Sequence, residues 1–229
     1  MNKLISTILL MTCAVTSLAQ DSVKTNIGAD IVSRYIWRGL DLGNTSVQPT
    51  LGISYGGLSL NAWGSMGLTE ANDTKELDLT LSYTTGSLNV SVTDYWFSQG
   101  NYFTYTNHKT THVIEANVGV DLGVASLQWF TNVTGDDGMN KSGDRAFSSY
   151  VEASVPFQLG GCDWAATIGA VPYATTFYDT NGFAITNVSL RATKEIAAGK
   201  NFCIPVFAGI TANPRAEKMY MVFGATLAL

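Results

Sequence analysis

Cysteine is nearly absent, with three in 229 residues, at positions 13, 162 and 203. So few thiols exclude a small disulfide-held scaffold. Charge is scarce too: Asp, Glu, Lys and Arg make up 14% of the chain, and the net charge is -5. An acidic balance with no basic run argues against nucleic acid as a partner. Histidine occurs only at His108 and His112. No window carries a sustained helical stripe; "KEIAAGK" (Lys194 to Lys200) comes nearest and is short enough to be a turn.

Long apolar runs are missing as well, apart from the start. "MNKLISTILLMTCAVTSLAQ" has a positive residue at Lys3, an apolar core from Leu4 to Val15, and small residues at Ser17 and Ala19. This is the pattern of a secretory signal peptide, residues 1–19, cut after Ala19. Its apolar core is shorter than the ~20 residues a membrane-spanning helix needs. Acylation at Cys13 is disfavoured because Thr12 stands where Gly or Ala is expected. Removing Lys3 takes the net charge from -5 to -6, and residues 20–229 are of a length for one domain.

What is present is alternation. "LDLTLSY" (Leu77 to Tyr83), "LNVSV" (Leu88 to Val92) and "IEANVGV" (Ile114 to Val120) each read apolar, polar, apolar. Period two means strands with two unlike faces. The pattern predicts twelve strands, at 25–37, 47–55, 58–68, 75–84, 87–97, 110–120, 124–133, 146–157, 163–173, 183–193, 202–212 and 218–229. Most match the ~9–11 residues of a tilted membrane-crossing strand. Tight connections such as "YGGL", "TTGS" and "QLGGCD" alternate with long polar ones such as "RGLDLGNTS", "SQGNYFTYTNHK" and "TGDDGMNKSGDR". The expected fold is therefore all-β: a twelve-stranded antiparallel transmembrane β-barrel with short periplasmic turns and longer extracellular loops. Its place would be the cell outer membrane, with outer-membrane lipids around it.

A soluble barrel shares this periodicity but buries its apolar face. Twelve strands enclose more volume than such side chains readily fill, which favours the membrane form. Aromatics also gather near strand ends, at Tyr35, Trp37, Tyr55, Tyr83, Trp96 and Trp164, as interface belts require. Asp94 falls on the apolar parity of its strand, so a bulge or an early strand end is expected there. The tenth strand, "FAITNVSLRATK", fits two registers.

"VSRYIWRGL" resembles the Y-x-[FW]-R-G signature of the TorF-type porin family of Gram-negative outer membranes. "NAWGSMGL", "KELDLTLSY", "HVIEANVGVDLG" and "SSYVEASVPF" resemble its later strands in order. The resemblance implies a small outer-membrane barrel with pore activity, for a family whose substrate is itself largely unassigned. The ending "FGATLAL" also resembles the β-barrel assembly signal, with Gly224, Leu227 and Leu229 in G-x-x-Ω-x-Ω spacing and Leu in place of the usual terminal Phe. That implies the barrel assembly machinery as a partner.

In a barrel of this size the lumen side chains set conduction. The inward parity collects Asp30, Arg34, Trp63, Asp78, Glu115, Glu152 and Arg191 as candidate pore-lining residues. Four acids against two arginines give a weak cation preference; the same groups paired with one another would close the lumen. Tyr35 and Trp37 are read as facing lipid, and Arg38 as anchoring to lipid phosphates where the strand leaves the membrane. The two histidines raise a lipid hydrolase, but no nucleophile motif flanks them. Asp136, Asp137, Asn140 and Asp144 could offer oxygen to calcium, although their spacing departs from the D-x-[DN]-x-[DN]-G loop. Cys162 and Cys203 lie two strands apart, nearly 10 Å and beyond the ~7 Å limit for a disulfide, unless the turn brings Cys162 closer.

The sequence therefore supports a narrow passive channel for small hydrophilic solutes or ions. No enzymatic reaction, cofactor or metal is expected. The alternatives are a closed structural or surface-recognition barrel and an outer-membrane lipid hydrolase.

Overall fold

Sustained alternation becomes strand along the whole described chain. The computed structural model describes residues 22–70, 73–98, 100–106, 110–199 and 202–228. The expected signal peptide, His108 and Leu229 lie outside the described residues.

The strands are β1 (Lys24–Val32), β2 (Tyr35–Trp37), β3 (Leu40–Gly43), β4 (Ser46–Tyr55), β5 (Leu58–Gly67), β6 (Lys75–Thr85) and β7 (Leu88–Trp96). There follow β8 (His112–Asp121), β9 (Ser126–Gly135), β10 (Ser149–Leu159), β11 (Cys162–Val171), β12 (Ala184–Ala197), β13 (Cys203–Asn213) and β14 (Lys218–Ala228). All but β2 and β3 form one closed barrel of twelve strands, each antiparallel to its neighbours. The first and last strands close the ring, with pairs from Gly28↔Ala228 to Val32↔Gly224. One rim carries the short connections 56–57, 86–87, 122–125, 160–161 and 198–202. The other carries 33–45, 68–74, 97–111, 136–148 and 172–183, with only 214–217 tight.

The barrel is inside-out relative to a water-soluble protein. Leu51, Ile53, Leu60, Leu81, Val92 and Ile210 stand exposed on the outer face. Gln48, Thr50, Asp78, Ser82, Ser91 and Asn117 are buried on the inner one, where polar side chains outnumber apolar ones. Covering apolar surface is worth about 25 cal/mol per Å². An exposed apolar face of this extent fits a wall that meets lipid.

Three departures from the expected strands have local causes. The first strand stops at Val32 instead of reaching 37. Ser33 ends it by bonding β14 twice: its amide donates to the Phe223 carbonyl at 2.8 Å, and its hydroxyl accepts the Phe223 amide at 3.0 Å. Beyond it the chain turns away into the β2–β3 hairpin, a separate two-stranded sheet. No bulge forms at Asp94, since β7 runs on to Trp96; the register shift lies on the neighbouring pair, at Ile114/Glu115. The second shift, at Gly169/Ala170, leaves Thr186 as an extra residue on β12, and Thr186 and Asn187 are both buried. A bulge reverses parity, which is why this strand fitted two registers.

Candidate functional site

The β2–β3 hairpin folds into the barrel interior, where its side chains meet β7, β8 and β13. Its two-residue turn, Arg38-Gly39, has φ of 50° and 80°, both left-handed. Such a turn matches the twist of a hairpin and favours Asn-Gly. Arginine in that conformation costs roughly 1–2 kcal/mol, so the side chain must recover it. Gly39 has no substitute, because a Cβ there would collide with the Thr186 carbonyl on β12.

Arg38 recovers the strain through Glu115 of β8. Nη1 donates to Oε2 at 2.6 Å and Nη2 to Oε1 at 2.8 Å, a two-pronged pair. Nη1 also donates to the Tyr178 hydroxyl at 2.5 Å, and the Tyr95 hydroxyl donates to Glu115 Oε1 at 2.9 Å. The Arg38 and Glu115 side chains are only 7% and 2% exposed. The guanidinium carbon lies 4.3, 4.1 and 4.8 Å from the ring centroids of Trp37, Phe130 and Tyr150. Desolvated cation–π contacts of this kind reach about 2 kcal/mol. Burial opposes the charge on Arg38, but Glu115 beside it overrides burial and holds the guanidinium well above its usual pKa. Burial raises Tyr178 above the usual tyrosine range, although Arg38 pulls the other way.

The tip reaches both walls. Arg38 is held on β8, while Asn213 Nδ2 at the end of β13 donates to the Gly39 carbonyl at 3.0 Å. Around the ring β8 and β13 are five strands apart one way and seven the other, so the turn bridges nearly opposite sides. Trp37 packs between Tyr95 at 5.8 Å and Tyr178 at 5.9 Å, and Phe177 closes over its edge at 6.2 Å. Tyr150 hydrogen-bonds Glu152 at 2.7 Å and accepts from Asn187 at 3.1 Å. Room for the ring comes from Gly169, where any Cβ would strike the Tyr150 hydroxyl.

These contacts revise the aromatic belt. Tyr35 and Trp37 do not face lipid: Tyr35 is 7% exposed with its ring 5.5 Å from Trp63, and Trp37 sits in the plug. Nor does Arg38 reach lipid phosphates. Parity was counted along a strand that had already ended. Arg34 is not on the wall either; it pairs with Asp41 across the hairpin at 2.5 Å, with its side chain 40% exposed. Tyr55 and Tyr83 do point outward at the short-turn rim, where Trp164 stacks on Phe157 at 6.1 Å. Trp96 is half-buried under the 97–111 segment, its ring 5.2 Å from Tyr102.

The remaining inward candidates divide. Asp78, Glu115 and Glu152 surround the plug, and Trp63 lies beside Tyr35. Asp78 shares its face of β6 with Glu76, the second residue of the strand and absent from the expected pore-lining set. Glu76 Oε2 and Asp78 Oδ1 are buried with no hydrogen-bond donor among the described residues. Arg191 lies away from the plug, its guanidinium 3.6 Å from the Phe207 ring centroid, and it interacts electrostatically with Asp30. Gly224 and Leu227 belong to β14, where Gly224 pairs with both Val32 and Phe207.

His112 lies on the outer wall near the long-loop rim. Nδ1 is 2.7 Å from Asp94 Oδ1, Nε2 is 2.5 Å from the Tyr102 carbonyl, and Tyr105 stacks on the ring at 4.1 Å. The Tyr105 hydroxyl donates to Asp94 Oδ2. This satisfies the outward acid without a bulge. In the 136–148 loop, Asp137 accepts from Gly138, Ser148 and Asn132, and Asn140 accepts from Ser142 and Asp144. Both Cys162 and Cys203 are free thiols.

Residues 17–218 match a family described as a bacterial protein of unknown function, Gcw_chp. No curated protein matches the chain.

Proposed function

The chain belongs to the bacterial Gcw_chp family of unknown function, and we propose that it is an outer-membrane barrel acting as a narrow passive channel for small hydrophilic solutes or ions. The observation that carries this reading is the inversion of polarity across a closed wall: apolar outside, hydroxyl, amide and carboxyl groups inside. A closed barrel with that polarity suits a bilayer, because no strand edge is left for lipid to meet. The TorF-type porin resemblance points the same way. Export by the N-terminal signal and assembly through β14 belong to the same proposal.

The inward hairpin favours a second reading, a closed barrel whose loops bind partners. Conductance separates the two. Replacing residues 34–44 by a short glycine-serine linker removes the hairpin from the lumen while leaving every barrel strand intact. That variant, folded and inserted in planar bilayers, is expected to conduct; persistent silence would overturn the channel reading in favour of the closed barrel. A hydrolytic role draws no support from His112, whose two ring nitrogens are engaged by Asp94 and by the Tyr102 carbonyl, leaving neither for a nucleophile.

A further inference from the structure

We propose that the β2–β3 hairpin is a gate, latched shut by Arg38 on Glu115, whose withdrawal turns a plugged lumen into an acid-lined, cation-preferring opening. The proposal rests on the channel reading above.

The hairpin is built to move as a unit. It forms a two-stranded sheet of its own, so no ladder joins it to the barrel wall. The wall is complete without it, because β1 pairs with β14 on one side and β4 on the other. The tip is held chiefly by side chains: Arg38 on Glu115 and Tyr178, and Asn213 on the Gly39 carbonyl. Withdrawal breaks these contacts, the ring packing on Trp37 and the hydrogen bonds of Tyr35 to Glu76 and of Thr74 to the Leu42 carbonyl, while the barrel's ladder hydrogen bonds stay intact. The left-handed Arg38 supplies strain that favours release once its ion pair is gone.

The charge that remains after withdrawal defines what would pass. Arg38 is the cation bound to Glu115, and it leaves with the hairpin. Tyr35 leaves too; it hydrogen-bonds Glu76 and packs on Trp63, the cross-strand partner of Asp78, so its departure uncovers both acids, whose buried oxygens Oε2 and Oδ1 have no donor among the described residues. Glu76 and Asp78 on β6 and Glu115 on β8 then face the opening together, with β7 between them. A set of carboxylates at a constriction selects cations. The closed state hides this preference and the open state expresses it.

The experiment compares single-channel conductance and reversal potential in a potassium chloride gradient for four proteins. These are the wild type, Arg38→Ala, Glu115→Gln, and the variant with residues 34–44 replaced by the linker. The expected order is a low wild-type conductance and several-fold higher values for all three variants. Arg38→Ala and the linker variant should show the stronger cation preference, and Glu115→Gln a weaker one because it has lost one acid. If the linker variant conducts while Arg38→Ala and Glu115→Gln match the wild type, the latch is wrong and the channel reading stands. If the linker variant conducts without cation preference, the acid-lined opening is wrong. If it folds, inserts and stays silent, the channel reading falls and the gate with it. Should Arg38→Ala fail to fold, Glu115→Gln and the linker variant decide the question.

Discussion

Arg38 and Glu115, 77 residues apart in the chain, meet in a two-pronged ion pair inside the barrel, both side chains nearly sealed from solvent. Breaking a buried pair from one side leaves an uncompensated charge and costs about 3–5 kcal/mol. Glu115→Gln should therefore lower the local stability of the hairpin by an amount of that order, read as faster amide hydrogen exchange across residues 35–43. Arg34→Ala, which removes an exposed pair with Asp41, should cost less than about 1 kcal/mol. Equal effects from the two substitutions would refute the ranking.

The pair should also be indifferent to alkali over a wide window. Glu115 and the neighbouring tyrosine hydroxyls raise the pKa of Arg38, so its contribution is complete below the ordinary arginine range and is lost only as pH rises through the still higher folded value. Burial raises Tyr178 above the usual tyrosine range as well. With Glu76 and Asp78, the carboxyls facing Tyr35, replaced by Gln and Asn, hairpin exchange protection, corrected for the intrinsic rate, should be flat from neutrality to about pH 10. A titration inside that window would contradict the pairing.

Gly39→Ala should expel the turn. The substitution adds about 1 kcal/mol of left-handed strain and about 1–3 kcal/mol for forcing a methyl group against the Thr186 carbonyl. Thermal unfolding of the barrel should change little, because β12 and β13 keep their ladder. Tryptophan fluorescence should report exposure of Trp37.

Tyr150→Phe removes the donor to Glu152 and the acceptor for Asn187 while keeping the ring that packs against Tyr178 and Arg38. A hydrogen bond to a charged group is worth about 1.5–3 kcal/mol. A loss of that size in urea unfolding from lipid vesicles is expected. A neutral result would mean that water replaces the hydroxyl.

Leu81→Arg tests what surrounds the barrel. Leu81 is 51% exposed on the outer face midway along β6. If lipid lies there, folding into vesicles should lose about 2–4 kcal/mol. In water an exposed arginine would cost next to nothing. A neutral result in vesicles would remove the outer-membrane placement.

The barrel was legible because alternation is local: each strand announces its two faces within a few residues, and all twelve barrel strands lie close to the expected spans. The site was less so. Nothing in "SRYIWRGLDLG" interrupts the alternation, so Tyr35 and Trp37 were carried outward along a strand that ends at Val32. The cue was Arg38-Gly39, a turn pair placed between two short apolar segments. It gains meaning only from Glu115, Tyr178 and Asn213, which lie far along the chain. Thr186 hid for a similar reason, since a bulge reverses parity without any change in composition. Glu115, Asp78 and Glu152 were found because inward parity survives up to such breaks.

The wall is closed by pairing its first strand with its last, Gly28 with Ala228 and Val32 with Gly224. Ring closure therefore has to wait until the entire chain has been delivered. Until β14 arrives, both β1 and β13 present open edges that any other strand could occupy. A copy truncated before Lys218 would carry every residue of the latch and still be a sticky, unfinished sheet.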